Sequence, residues 1–141
     1  MFGHPLHPAL VHFPLGLLLS ATIADLARVA GLTANVQIAA VLMAAGLLAA
    51  LLAMGAGMVD FARLEEAVVP HAMRHMGAVG LAWLAYAAAL YFRRDLFTGG
   101  VTVSMLSVVL SLVGAVLLAL GGFLGGRLVY EFGAGVSKRA A

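Results

Sequence analysis

A chain of 141 residues that is 64% hydrophobic and only 10% charged stands far from soluble domains, in which about a quarter of residues carry charge, so water is not its main solvent. Eight Lys and Arg against six Asp and Glu, with no basic run interleaved with aromatics, exclude nucleic acid as a partner. The absence of cysteine excludes disulfides, thiolate metal sites, iron–sulfur clusters and cysteine-attached haem.

A bilayer core of roughly 30 Å takes about 20 apolar residues per helical span. The apolar stretches predict four spans, at about 9–30, 36–59, 72–92 and 101–130. Pro8 suits the first turn of span one, where its missing N–H needs no partner, and Gly31 closes that span. Met1 to Pro8 carry no positive n-region and no small-residue cleavage site follows, so span one reads as a retained helix rather than a signal peptide. The breaks fall at Gly31 to Asn35, at the charged segment Asp60 to Arg74 with Pro70, and at Arg93 to Gly100. All are short, so neighbouring spans run antiparallel. The expected fold is all-α: a polytopic four-transmembrane-helix up-down bundle, with residues 1–141 forming one domain in the lipid bilayer.

In such a bundle the amino terminus, the second connector and the carboxyl terminus share one membrane face. His4, His7 and His12 precede or open span one, and His71 and His75 precede or open span three, so all five histidines gather at that face. Arg63, Arg74, Arg127, Lys138 and Arg139 lie there too, against Arg28, Arg93 and Arg94 at the other. Five against three favours cytoplasmic termini, but acidic neighbours that could neutralise three of the five leave the orientation open.

Span four carries a seam of Ser104, Ser107, Ser111, Gly114, Leu118, Gly121 and Gly125, alternately three and four apart. Small seams let membrane helices approach closely, so helix packing is the favoured role, whether within the bundle or in a homodimer.

His4 and His7 each precede a proline, which favours extended or turn backbone, whereas His12 lies inside the helix, where Pro14 disturbs the first turns. His71 and His75, four apart, share one helical face, with Tyr86 eleven residues beyond His75 on nearly the same face. A histidine of span one opposite a histidine of span three forms a bis-imidazole site of the kind that holds haem b between two helices. His12 with His75 is the deeper couple and His7 with His71 the shallower one. Arg63, Arg74 and Arg127 are candidates to meet haem propionates or an acidic headgroup, since the guanidinium fork suits carboxylate and phosphate. The plain alternatives are interfacial histidines without a ligand and local ion pairs, Asp60 with Arg63, Arg127 with Glu131 and Asp25 with Arg28, the last of which is assigned no chemistry. Met54, Met58, Met73 and Met76 could assist copper(I) binding, though core filling is the commoner use of methionine. No Ser-His-Asp spacing, HExxH helix or phosphate loop is present.

The opening His4-Pro5-Leu6-His7-Pro8, then Val11-His12-Phe13-Pro14, Gly57, Asp60, His75 and the ending Gly121-Gly122-Phe123-Leu124-Gly125-Gly126-Arg127-Leu128-Val129-Tyr130 together resemble the bacterial membrane family labelled domain of unknown function 2231. The resemblance covers almost the whole chain. Some relatives are joined to cytochrome c-like or Rieske-type domains, so the resemblance implies an electron-transfer setting. Relatives commonly have an acidic or tryptophan-flanked residue near Arg127 and Phe123, so the charge of this end differs here.

Three functions follow as expectations. The leading one is a haem b-binding redox subunit of the bacterial inner membrane, with His12 and His75 as ligands and electrons exchanged with quinone or a partner protein. The second is a membrane protein binding copper or zinc directly through its histidines, and the third is a scaffold or accessory subunit. Haem asks for two opposed histidines on different helices with a slot roughly one porphyrin wide, a bare metal ion for three or four ligands converging, and a scaffold for neither.

Overall fold

The computed structural model describes residues 6–33, 35, 37–93 and 103–134. Within them the chain is helical: α1 (Leu6–Leu10), α2 (His12–Val29), α3 (Gln37–Phe61), α4 (Val69–Tyr91) and α5 (Met105–Tyr130). Helices α1 and α2 form one interrupted rod. Pro14 has no N–H to offer the Leu10 carbonyl, which breaks the ladder, and the chain turns at Val11. That break changes which histidine faces inward.

The helix ends follow from local chemistry. Gly31 adopts a φ of 74°, and the Gly31 N–H to Arg28 O and Leu32 N–H to Ala27 O bonds close α2 in a Schellman turn, where glycine carries no Cβ penalty. Asn35 opens α3 by accepting from the Gln37 and Ile38 N–H groups at 3.0 and 3.2 Å. Pro70 sits in the first turn of α4.

Among the described residues three rods are long and apolar enough to cross a membrane: Leu6–Val29, Gln37–Phe61 and Met105–Tyr130. Helix α4 has comparable length at 23 residues but carries His71, Arg74 and His75 in its first two turns. Leu52, Leu84, Val116 and Phe123 are exposed on the outside of the bundle, an apolar surface that suits lipid and would be a liability in water.

Packing divides the bundle into two tight pairs. Helix α2 packs extensively on α3 and α4 on α5, whereas α3 with α4 and α2 with α5 touch more sparsely. Glycine makes each pair close: a Cβ at Gly46 would stand 2.8 Å from Leu18, and one at Gly114 2.6 Å from Tyr86. The predicted seam on α5 is the packed face, with Ser107, Ser111, Gly114 and Gly121 buried and only its first member, Ser104, exposed. Between hydrocarbon tails such contact supplies the dispersion energy that apolar burial does not.

Candidate functional site

At the end of the bundle where α1, the close of α3, the start of α4 and the close of α5 meet, two histidines come together. His7 on α1 donates its Nδ1–H to the Ala53 carbonyl of α3 at 2.7 Å. His75 on α4 donates its Nδ1–H to the Gly121 carbonyl of α5 at 2.9 Å. Their ring centroids lie 6.3 Å apart with planes at 82°. Carbonyls only accept, so each bond fixes a proton on Nδ1 and leaves the lone pair of a neutral ring on Nε2, the arrangement that prepares imidazole to bind a metal. The rings are also held sterically, because a Cβ at Gly57 or at Gly125 would stand 3.0 Å from the His7 or the His75 ring. Each ring is tied to a different helical pair, so the two stand on opposite sides of the sparsely packed seam.

The couple therefore combines His7 with His75. His12, placed opposite His75 by sequence reasoning, points outward and is exposed, with only a long 3.4 Å contact from Nδ1 to Ala9 O. His71, the other shallow candidate, lies with its ring 4.3 Å from that of Phe132, and its Nδ1 is buried without a hydrogen-bond partner. His4 lies outside the described residues. Arg63 and Arg74 are exposed, and no Asp60–Arg63 ion pair forms among the described residues. Arg127 and Glu131 do pair, through two bonds of 2.7 Å, and the bond from Arg127 holds the Glu131 carboxyl below its usual range. Met54, Met58 and Met73 are exposed. Among the described residues no three His, Asp or Glu side chains converge to hold one metal ion.

Tyr86 belongs elsewhere. It is fully buried towards the opposite end of the bundle, with its hydroxyl 2.7 Å from Thr22 Oγ1. Close by, Arg93 binds Asp25 through two bonds of 2.8 and 2.9 Å and donates Nε–H to Ser107 Oγ at 2.7 Å. Ser111 donates to Asp25 Oδ2 at 2.8 Å, and Thr22 reaches the Ser111 carbonyl at 3.2 Å. Asp25 and Arg93 are 1% exposed, so their charges are satisfied entirely by protein. This network joins α2 to α4 and α5, and sequence spacing misses it by pairing Asp25 with its neighbour Arg28. The signal lay in the cost of an aspartate inside an apolar span, which demands a partner.

The molecule is thus fastened at one end by a buried ion pair and brings two imidazoles within 6.3 Å of each other at the other. No curated protein and no solved structure matches the chain. A family model described as predicted membrane protein (DUF2231) matches residues 3–138, nearly the full length, and the chain belongs to that membrane family.

Proposed function

We propose that this protein is a haem b-binding redox subunit of the bacterial inner membrane, in which His7 and His75 are the residues that would hold the haem iron. The observation that carries the reading is the spacing and anchoring of these two rings. A metal–imidazole bond of about 2 Å on each side places opposed ring centroids roughly 6 Å apart, close to the 6.3 Å found here. The carbonyls of Ala53 and Gly121 orient the rings and raise their basicity. A haem between the rings would have to part the two helical pairs along their sparsely packed seam.

Haem, when bound, supplies a one-electron couple, with a quinone or a partner protein as the other party. The residues of this chain hold the ligand rings in one tautomer and surround them with helix backbone. For the reading to hold, α4 crosses the membrane as the fourth span, its polar first turns lying at the boundary. Direct copper or zinc binding is less favoured, because it calls for three or four converging ligands and the described residues offer two.

The test is a pyridine haemochrome assay with elemental analysis for iron, copper and zinc, on protein produced with ample haem. Haem b and iron near one per chain support the proposal. Iron-free protein retaining copper or zinc would replace it with the direct metal site.

A further inference from the structure

We propose that a second site at this end, between the start of α4 and the close of α5, binds the phosphate of an anionic phospholipid headgroup. The place is a shallow depression lined by His71, Arg74, Leu124, Arg127 and Phe132. It does not rest on the haem reading.

Charge is the first argument. Two guanidinium groups share the lining with one neighbouring carboxylate, Glu131, and that carboxylate is already engaged by Nε and one terminal nitrogen of Arg127. Arg74 has no hydrogen-bond or ion-pair partner among the described residues. Two cations lining one hollow repel each other unless an anion joins them, and the planar guanidinium fork fits the oxygens of a phosphate.

Histidine 71 supplies an independent argument. Its Nδ1 is buried and without a hydrogen-bond partner among the described residues, a polar atom in the lining that the protein alone leaves unsatisfied. Arg74 and the unused nitrogen of Arg127 turn N–H donors to the same hollow. An oxyanion satisfies such a set, whereas a cation or an amine would not.

Position selects the source. The depression lies at the ends of two helices that pack against each other, where a bilayer spanned by them would carry its phosphates, and basic hollows between membrane helices are where acidic headgroups dock. Leu124 and Phe132 give it an apolar wall for the glycerol and the first acyl carbons. Free inorganic phosphate shares the headgroup chemistry and lacks that apolar portion.

The experiment compares full-length protein in nanodiscs of pure phosphatidylcholine with nanodiscs containing phosphatidylglycerol. It reads the thermal midpoint and the phosphatidylglycerol retained per chain by native mass spectrometry, and a further arm adds inorganic phosphate to the phosphatidylcholine discs. Phosphatidylglycerol should raise the midpoint and remain bound. Arg74→Gln and Arg127→Gln should each weaken retention roughly tenfold, as expected for loss of a charge-assisted hydrogen bond. Arg63→Gln, which removes the same charge from the same end outside the depression, should retain lipid like the wild type. His75→Ala, which removes a proposed haem ligand, should also retain it, so failure of the haem reading would leave this result standing. A matching shift from inorganic phosphate alone would keep the oxyanion site and reassign its source. Equal retention in Arg74→Gln, Arg127→Gln and wild type would overturn the proposal.

Discussion

Asp25 and Arg93, 68 residues apart, meet through two hydrogen bonds of 2.8 and 2.9 Å with neither side chain in contact with solvent. The pair ties α2 to the residues that close α4. Removing one partner strands the other charge in a low-dielectric interior. Asp25→Ala or Arg93→Ala should therefore destabilise the protein by about 3–5 kcal/mol, measured as thermal or denaturant unfolding in detergent. Ser111→Ala, which removes one of three donors to Asp25, should cost about 1–2 kcal/mol. Equal stability of Asp25→Ala and wild type would show that the pair does not fasten the bundle.

Tyr86 rests against Gly114, where a Cβ would stand 2.6 Å from its ring. Gly114→Ala should overpack the α4–α5 contact and cost about 1–3 kcal/mol. Tyr86→Phe keeps the ring and loses only the Thr22 bond, so its smaller loss, about 1 kcal/mol, separates packing from hydrogen bonding in the same unfolding assay.

These two predictions mark where sequence reasoning succeeds and where it stops. The all-helical membrane fold is legible because apolar run length is a one-dimensional quantity, and the α5 seam because its period is helical. The pairing of Asp25 is not legible. Local spacing makes Arg28 visible as a neighbour, while contact with Arg93 depends on the rotation of α4 against α2, which no spacing within one helix encodes. The histidine couple shows the same limit. Chain parity gathers the histidines at one end, but the turn at Val11 decides that His7 faces inward and His12 outward.

Gly57 and Gly125 stand beside the paired rings, each with room for a Cβ only at 3.0 Å. Gly125→Ala should turn the His75 ring or lengthen its bond to Gly121 O. The expected result is a shifted absorption spectrum or weaker ligand retention, with stability changed far less than in Asp25→Ala. An unaltered spectrum with full ligand content would separate this glycine from the site.

Glu131 has its carboxyl pKa depressed by Arg127, so the pair contributes stability above the ordinary carboxylate pKa and loses it as pH falls through the lower folded value. Both groups are open to solvent, and the effect is local. Amide hydrogen exchange in the last turn of α5, corrected for intrinsic rates, should rise on acidification below the carboxylate range. Glu131→Gln should show that faster exchange already at neutral pH, with little further change on acidification.

The most direct test of the central claim is a reduced-minus-oxidised optical spectrum of the purified, haem-supplied protein beside its His7→Ala, His75→Ala and His12→Ala variants. The wild type should show a sharp Soret and α band, kept in His12→Ala and lost or converted in both His7→Ala and His75→Ala. A wild-type protein without these bands, or bands lost in His12→Ala and kept in His7→Ala, would contradict that claim.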